Sequence, residues 1–565
     1  MKQKDKVSAS PLRIIPLGGL HEIDKNMTVY EYENDIIVVD CGLAFPENEL
    51  LGIDIIIQDI SYLKKNIDKV RALFVTHSHE DHIGAIPYFL REISVPIYAT
   101  KFTLGLIKSK LKEHRMEPKT KTIAPGDKVK VGAFRIEAIR VNHSTPDAVA
   151  FAIKSPVGTV IQTGDFKIDH SPIDGETMQL GRLASLGEDG VLALLSDSTN
   201  ATHEGYTMSE SLVGKTFEEI FRNETKGRII IASFASNVHR IQQIVNAAQI
   251  YERKIAFSGR SMVNVTNVAM ELGYLKIPSS MLIDIKDIGR YPDNELVIVT
   301  TGSQGEPMSA LTRMALSEHR NLEVQEGDVV ILSSSPIPGN EKSVYRIINQ
   351  LIQKGAKVIY DKLEEVHVSG HAKREELKMM LSLTKPKFFI PVHGEYMHLN
   401  CHRELAIGMG MSHSDIFLLR NGSVLELTEN SAVLAPPVQA GRVFIDGLGI
   451  GDVGSAVLRE RKNLSEDGII IVTAAMRKDN GEIISDPFLL SRGFVYVKES
   501  EELMESARGV VGEEIQKYHA RGSKDAAQLR TAIKESLSQL LYQKTKRGPM
   551  ILVIFTEVPA AGAQA

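Results

Sequence analysis

The chain has 565 residues, a formal net charge of −5 and 24% charged side chains, so roughly three domains are expected. Its two cysteines exclude a disulfide framework, and the absence of any apolar stretch of membrane-span length argues against a membrane protein. The acidic balance excludes a uniformly basic nucleic-acid binder, so a nucleic-acid partner would need a local basic channel. The polar first ten residues lack the apolar segment of a signal peptide, and we expect a cytoplasmic protein.

The first third of the chain alternates short apolar runs with turn signals, which predicts two β-rich layers flanked by helices. Helices are predicted at 59–66 and 103–113. The predicted strands are residues 12–17, 35–39, 73–76, 134–141, 149–153 and 159–163.

From about residue 209 to residue 370 predicted strands alternate with predicted helices, and this βαβ pattern is typical of a parallel sheet. A helix is predicted at 238–253, and the predicted strands are 228–232, 254–257, 296–300, 329–332 and 357–360. We interpret this segment as an α/β domain inserted into the first domain. The strand predicted at 387–392 then returns to that first domain.

The last part of the chain is predicted to be a small separate unit. The chain around 428–437 is expected to be a linker. Strands are predicted at 469–474, 494–497 and 550–555 around two helices, one of them at 526–542. Residues 558–565 are expected to form a disordered tail.

The segment Thr76-His77-Ser78-His79-Glu80-Asp81-His82 carries the strongest chemical signal. Three histidines and an aspartate with the spacing H-x-H-x-D-H directly follow the apolar run 70–75. Imidazole and carboxylate ligands suit Zn²⁺ or Mn²⁺, and four of them within six positions indicate two metals. The alternative is a His-rich surface loop.

Three further ligand-type residues stand at the ends of predicted strands: His143, Asp165 and His393. His143 or Asp165 alone would more often be a capping or turn residue, but together with the first segment they complete a two-metal set with Asp165 as the natural bridge, and His393 is a further candidate ligand. Asp40, at the end of another strand, is suited to orient a ligand from behind, or else forms a turn. A two-metal site lowers the pKa of a bridging water to about 7, which predicts hydrolysis.

This ligand pattern resembles the metallo-β-lactamase superfamily, which implies a four-layer αββα sandwich with the metals at the strand ends. The resemblance implies that His77, His79 and His143 bind one metal. It assigns Asp81, His82 and His393 to the other, with Asp165 between them. Zn²⁺ is the expected ion and Mn²⁺ the alternative.

Three more motifs resemble those of the β-CASP nucleases. They are Ser196-Asp197-Ser198-Thr199, His367-Val368-Ser369-Gly370-His371 and the histidine of Pro391-Val392-His393-Gly394-Glu395. A histidine at the third motif is typical of members that act on RNA. The chain as a whole is similar to the bacterial ribonuclease J family, although His21 and Asp24 stand where that family usually has glycines.

The resemblance implies a metal-dependent ribonuclease that leaves a 5′-phosphate and a 3′-hydroxyl when an activated hydroxide attacks the phosphodiester. It implies 5′→3′ exonuclease activity on 5′-monophosphorylated single-stranded RNA, with endonuclease activity, in rRNA maturation and mRNA decay. His371 is the expected acid, aided by Asp197. The residues expected to bind substrate phosphate are Ser236, Asn237, His367, Val368, Ser369, Gly370 and His371. Helix capping is the alternative for Ser236 and Asn237.

The resemblance to the ribonuclease J family also sets the predicted domain boundaries. The metallo-β-lactamase domain takes 1–208 and 371–435, and the β-CASP domain takes 209–370. A linker at 436–454 precedes a C-terminal oligomerisation domain at 455–557. The family further implies a structural cation held by Glu47, Glu49 and Asp446, for which a solvated turn is the alternative.

The implied partners are mRNA and rRNA precursors, a second copy of the chain in a homodimer or homotetramer, and other ribonucleases or an RNA helicase. Two competing functions are a small-molecule hydrolase, such as a thioesterase or lactamase, and an RNA-binding assembly subunit with a vestigial metal site. A small-molecule hydrolase would leave the inserted domain and His371 without a role. A vestigial metal site is disfavoured because the set of predicted ligands is intact.

Overall fold

The computed structural model describes residues 10–47, 49–306, 308–336, 340–360, 365–494, 501–522 and 525–559. The chain divides into two compact units. The first comprises Met1–Ala44 with Ile56–Val443, and the second comprises Phe45–Ile55 with Phe444–Ala565. No helix among these described residues is both long and apolar enough to cross a membrane.

The first unit contains two large sheets packed face to face. One is antiparallel at one end and parallel from Asp35–Val39 onward. In spatial order its strands are Ala432–Ala435, Val424–Leu427, Leu12–Gly18, Met27–Tyr32, Asp35–Val39, Val70–Phe74, Ile97–Ala99 and Thr120–Thr122. In spatial order the strands of the second sheet are Phe388–Val392, Ala193–Asp197, Thr159–Gln162, Val149–Lys154, Phe134–Arg140 and Lys128–Val131.

Side-chain alternation along the strands of the second sheet separates two cores. Phe151 packs against residues of the first sheet such as Phe74, whereas its neighbours Ala150 and Ala152 face helices on the outer side. Those outer helices are Leu180–Asp189, Arg374–Thr384 and Tyr396–Gly408. The other helices of this region are Ser61–Lys65, Glu80–Ile83, Ile86–Glu92 and Lys101–Glu113.

The inserted region forms a parallel sheet of its own. In spatial order its strands are Lys254–Ser258, Leu296–Thr300, Ile229–Ala232, Val329–Leu332 and Lys357–Tyr360. Its helices are Ser211–Asn223, Val238–Ile250, Arg260–Leu272, Ala310–Ala315 and Glu341–Gln353. The insertion leaves after the strand Ala193–Asp197 and returns in Phe388–Val392, and these two strands are paired in parallel.

The second unit is built on a sheet with the strand order Phe488–Arg492, Ile469–Arg477 and Met550–Val558. The helices of this unit are Ser455–Asp467, Glu501–Ala520 and Ala526–Thr545, and the last two contribute to its apolar core. The opposite face of the sheet carries Phe488, Leu552 and Ile554, which are 61%, 44% and 42% exposed. We call these three residues the exposed sheet face.

The predicted linker at 428–437 is wrong, because Ala432–Ala435 forms an edge strand paired antiparallel with Val424–Leu427. The next predicted linker, 436–454, contains the strand Arg442–Asp446 and the short strand Gly449–Ile450. Another short strand is Ile55–Gln58. The predicted strand at 494–497 lies outside the described residues except for Phe494. The predicted tail also lies outside them from residue 560, whereas Val558 ends a strand.

Candidate metal centre

The predicted metal ligands converge because every strand that precedes them ends at the same edge of the two sheets. The segment from His77 to His82 leaves the strand Val70–Phe74, and the short helix Glu80–Ile83 turns Asp81 and His82 back toward the sheet edge. In the second sheet, His143, Asp165 and His393 each follow a strand that runs toward this edge.

The first cluster contains His77, His79, His143 and Asp165, whose ligand atoms lie within 4.8 Å of one another. Nε2 of His77 is 3.5 Å from Oδ2 of Asp165. Nε2 of His143 is 3.8 Å from the same oxygen and 3.1 Å from Nδ1 of His79. The structure therefore brings together the residues predicted for one metal.

The second cluster contains Asp81, His82, Asp165 and His393 within the same limit. Nε2 of His393 is 3.3 Å from Oδ2 of Asp81 and 3.2 Å from Oδ2 of Asp165. Nε2 of His82 is 3.3 Å from Oδ1 of Asp165. Asp165 thus belongs to both clusters, in the position predicted for a bridging ligand.

The unpaired polar atoms at this centre fit divalent metal ions. Among the described residues, His77 Nε2, His393 Nε2 and Asp165 Oδ1 are buried without a well-oriented hydrogen bond, and all three lie in the two clusters. Buried polar atoms are normally paired, since leaving one unpaired costs about 1–3 kcal/mol. Imidazole nitrogens and carboxylate oxygens in this number suit Zn²⁺ or Mn²⁺.

The electrostatics divide the histidines into two groups. Burial lowers the pKa of His77 and His143 far below the usual range and that of His79 to about 4, so these rings are neutral and have a lone pair to offer. Burial acts in the same direction on His82 and His393, but neighbouring carboxylates outweigh it and raise their pKa.

Residues behind the predicted ligands fix the orientation of their rings. Oδ2 of Asp40 accepts a hydrogen bond from Nδ1 of His82 at 2.8 Å, which leaves Nε2 facing the cluster. The other carboxylate oxygen of Asp40 accepts from the backbone N–H of Thr76 at 2.8 Å. The hydroxyl of Thr76 also lies 3.0 Å from Nδ1 of His77. Asp40 thus occupies the predicted position behind the ligands, whereas the role of Thr76 was not predicted.

Of the remaining three histidine rings, two are held by residues of the second and first motifs. Nδ1 of His143 donates to the carbonyl oxygen of Gly370 at 2.8 Å. Nδ1 of His393 lies 2.7 Å from the hydroxyl of Thr199. This role of Thr199 was not predicted, although its position directly beyond a strand end was a usable signal.

Asp197 and His371 form a separate pair at the edge of the clusters. Oδ2 of Asp197 lies 2.8 Å from Nδ1 of His371, and both residues lie close to Asp165. Burial disfavours the charged form of both groups, but the attraction between them is larger. The carboxylate of Asp197 raises the pKa of His371, and the ring of His371 lowers the pKa of Asp197. The His371 side chain is 21% exposed, which leaves this ring accessible to a ligand.

The predicted substrate residues occupy two loops. Ser369 accepts a hydrogen bond from Asn200 at 2.8 Å, and Gly370 is required because an added Cβ would lie 2.6 Å from the His143 ring. Asn237 caps the helix Val238–Ile250, its side chain accepting from the backbone N–H of Arg240 at 3.1 Å. The side-chain oxygen of Asn237 therefore acts as a helix cap, which is the alternative given for this residue. The neighbouring Ser236 is half-buried.

A cavity of about 490 Å³ adjoins His143, which is within the usual range of ligand pockets. It lies between the first domain and the inserted domain within the first unit. Its polar lining includes Lys101, Arg140, Asn142, Lys167, His239 and Tyr274. The lining also contains the carboxylates Asp147, Asp169, Asp174, Glu176 and Glu210, so this cavity is not the local basic channel expected for a nucleic-acid partner.

The turn at Gly19–Lys25 lies beside the second cluster, since the N–H of His393 donates to the carbonyl oxygen of Gly19 at 2.9 Å. His21 has a φ of +60°, a conformation that favours glycine. Burial and the nearby Asp81 raise the pKa of Asp24 to about 7. His21, which stands where the family usually has glycine, therefore places a side chain at a backbone position that suits a glycine.

The predicted structural cation site is not assembled as a cluster in the described part of the chain. Asp446 forms an ion pair with Arg461, and none of the clusters of ligand atoms contains Glu47, Glu49 or Asp446. Its role remains a prediction.

Four family models match consecutive parts of the chain. Residues 22–206 match the metallo-beta-lactamase superfamily, and residues 226–351 match the ribonuclease J beta-CASP domain. Residues 356–417 match the Zn-dependent metallo-hydrolase RNA specificity domain, and residues 456–558 match the ribonuclease J C-terminal domain. These matches confirm the predicted fold class.

Full-length relatives are also similar to the chain. Ribonuclease J2 of Bacillus subtilis strain 168 is 44% identical over 98% of this chain and 100% of its own. Ribonuclease J 1 of Streptococcus pyogenes serotype M3 is 44% identical over 95% of this chain and 96% of its own. A solved protein of unknown function from Enterococcus faecalis V583 is 15% identical with a TM-score of 0.54, covers 74% of this chain and 100% of its own, and supports the fold alone.

Proposed function

The chain belongs to the ribonuclease J family and is a metal-dependent ribonuclease; we propose that it degrades single-stranded RNA from a 5′-monophosphorylated end and also cuts RNA internally. The observation that carries this proposal is the pair of clusters that share Asp165, with His371 and Asp197 at their edge. We further propose two divalent ions for each chain, Zn²⁺ first and Mn²⁺ as the alternative, and a cytoplasmic role in rRNA maturation and mRNA decay.

The proposed ligands are His77, His79 and His143 for one ion, and Asp81, His82 and His393 for the other, with Asp165 shared. When bound, the ions supply an activated water and stabilise negative charge on the phosphoryl oxygens. The protein contributes rigid rings, because Asp40, Thr199 and the Gly370 carbonyl each hold one ligand from behind.

His371 is the proposed acid that protonates the leaving 3′-oxygen. Its Nδ1 is held by Asp197 at 2.8 Å, so its Nε2 is the atom that faces a substrate. The paired carboxylate favours the protonated ring, which is the state that an acid requires. The products are then a 5′-phosphate and a 3′-hydroxyl.

The preference for a single 5′-phosphate rests on the loop 367–371. Ser369 and Gly370 are held by Asn200 and His143, so the loop is fixed before substrate binds. A fixed loop of this kind offers a hydroxyl and backbone N–H groups to one phosphate, and a triphosphate would not fit in the same space. The other proposed phosphate-binding residues are Ser236, Asn237, His367, Val368 and His371.

The exposed sheet face of the second unit supports the proposal of a homodimer or homotetramer. Three large apolar side chains on one face of a small sheet are normally covered by a partner. We propose that a second copy of the chain covers this face. Other ribonucleases and an RNA helicase are further proposed partners.

One gel tests the proposed activity. Purified protein with Mn²⁺ or Zn²⁺ is incubated with 3′-labelled RNA that bears a 5′-monophosphate or a 5′-triphosphate, and with a matching DNA strand. We expect faster loss of the monophosphorylated RNA, release of mononucleotides and little DNA cleavage. Cleavage of no strand by protein that demonstrably binds metal would favour a small-molecule hydrolase or an inactive RNA-binding subunit.

Two histidine variants provide the matched test of the site. His79→Ala removes a proposed ligand, and we expect it to abolish cleavage while the fold and much of the RNA binding persist. His413→Ala removes an exposed histidine on a surface turn and should cleave like the unaltered protein. Full activity of His79→Ala would contradict the assignment of the metal centre.

A further inference from the structure

Arg240 is the largest fully buried side chain among the described residues, yet it carries a permanent charge. It lies on the helix Val238–Ile250 of the inserted domain. Its Nε and Nη2 atoms donate to the two carboxylate oxygens of Glu210 at 2.5 and 2.9 Å. Removing both charges from water costs about as much free energy as their attraction returns. The buried Arg240–Glu210 pair is therefore not explained by stability alone.

The remaining donors of Arg240 reach two other segments. Nη1 donates to the carbonyl oxygen of Ser333 at 2.9 Å and lies 3.0 Å from Nδ1 of His367. Nη2 also approaches the carbonyl oxygen of Val368 at 3.4 Å. Burial lowers the pKa of His367 well below its usual range, so its ring is neutral and Nδ1 can accept from the guanidinium.

His367 and Val368 begin the loop whose other end touches the metal centre. The carbonyl oxygen of Gly370 accepts from Nδ1 of His143 at 2.8 Å, and the ring of His371 is held by Asp197. Only Ser369 therefore separates the contacts to Arg240 from the contact that orients a proposed metal ligand. A shift at the start of this loop would move the Gly370 carbonyl.

We infer that Arg240 is a positioning residue of the metal centre: it fixes the loop 367–371 so that the Gly370 carbonyl holds the His143 ring in its ligand orientation. Arg240 contacts neither cluster and is not a catalytic residue. An arginine is needed because its planar fork bonds Glu210 and the loop together, whereas a lysine offers one nitrogen. This inference rests on the proposed metal-dependent function.

The test is metal affinity in the absence of RNA, measured on the full chain by competition with a chromophoric zinc chelator. Arg240→Lys keeps the buried positive charge beside Glu210 and removes the fork that reaches the loop. Loss of partners behind metal ligands weakens metal binding by about 10–100-fold, and we expect about tenfold here because the effect acts through the loop. Zn²⁺ alone is the probe.

Gln243→Met is the matched control. Gln243 lies on the same helix, is buried and donates at 3.3 Å to the Glu210 oxygen that also accepts from Arg240 Nε, but among the described residues it forms no hydrogen bond with the loop 367–371. We expect this variant to lose stability and to keep its Zn²⁺ affinity. An equal loss of affinity in Gln243→Met would overturn the inference, because general loosening of the inserted domain would then explain both results.

A second pair of variants covers the case in which Arg240→Lys does not fold. His367→Leu removes the acceptor from the loop side and leaves the pair of Arg240 with Glu210 intact. His367→Asn restores an acceptor oxygen near the position of Nδ1. We expect weakened Zn²⁺ binding in His367→Leu and recovery in His367→Asn, and unchanged affinity in folded His367→Leu would overturn the inference.

Kinetics on RNA then separate this inference from the proposed function. If the loop also positions His371, Arg240→Lys lowers kcat and kcat/KM together at saturating Zn²⁺, since the lost interaction is made in the transition state. Unaltered protein that binds Zn²⁺ tightly and cleaves no RNA would overturn the proposed function, while the difference in Zn²⁺ affinity between variants would still stand.

Discussion

Replacement of Glu376 by glutamine should loosen three segments around the metal centre at once. The carboxylate of Glu376 is fully buried and accepts three backbone N–H groups. One oxygen accepts from Ile168 at 2.7 Å, and the other accepts from Thr207 at 2.7 Å and Lys373 at 2.8 Å. Ile168 follows Asp165 in the chain by three residues, so this carboxylate stabilises the loop that carries the shared ligand.

The size of the effect follows from the geometry of the amide. Whichever way the glutamine side chain lies, its NH₂ group faces at least one backbone N–H that previously had an acceptor. Hydrogen bonds to a charged group contribute about 1.5–3 kcal/mol, and a buried N–H without a partner costs a similar amount. We therefore expect a local destabilisation of about 2–4 kcal/mol.

Hydrogen exchange measured by mass spectrometry on the intact protein checks this value. Since each 1.4 kcal/mol is tenfold, the peptides that contain Ile168, Thr207 and Lys373 should exchange about 30–700 times faster in Glu376→Gln. Glu375→Gln is the matched control, because that carboxylate is 39% exposed and pairs with Lys378 at the surface. Equal exchange rates in the two variants would refute the reasoning.

Three further predictions concern the metal centre and the second unit. Gly370→Ala places a Cβ within 2.6 Å of the His143 ring, so Zn²⁺ affinity in chelator competition should fall, whereas an unchanged affinity would mean that the ring can shift freely. Thr199→Val removes the hydroxyl 2.7 Å from Nδ1 of His393 and should weaken metal binding by about tenfold, while Thr199→Ser should retain it. Leu552→Lys charges the exposed sheet face and should lower the mass measured by light scattering if a second copy covers that face; an unchanged mass would exclude it.

The convergence of the predicted ligands could be expected because most of them stand at or just beyond the end of an apolar run, and the ends of neighbouring strands meet at one edge of a sheet. His77, His143 and His393 could therefore be placed together from sequence pattern and family resemblance, and the structure brings them within one centre. Asp40 was predicted behind the rings because it also stands at a strand end. The contact of Thr199 with His393 at 2.7 Å was not predicted. Nor was that of Arg240 with His367 at 3.0 Å, because each contact joins segments far apart in sequence and no local pattern records which side chains meet there.

The error at 428–437 has a different cause. Ala432–Ala435 is a short edge strand between polar turn residues and two prolines, and its Val433 and Leu434 are each 58% exposed. A segment with neither a buried face nor clear alternation resembles a linker in sequence. Only its pairing with Val424–Leu427, a contact between two short segments, makes it a strand.

The pairing of Ala193–Asp197 with Phe388–Val392 has a consequence for how an active molecule is made. Closing these two strands joins chain segments about 190 residues apart, and the entropic penalty of such a closure falls when the intervening chain has already become compact. The strands of the inserted sheet pair only with one another, so this sheet can form before that closure, during synthesis. Because His393 lies directly beyond the second strand, the last residue of the two clusters arrives only after the insertion has emerged, and a nascent chain cannot assemble the second cluster until then.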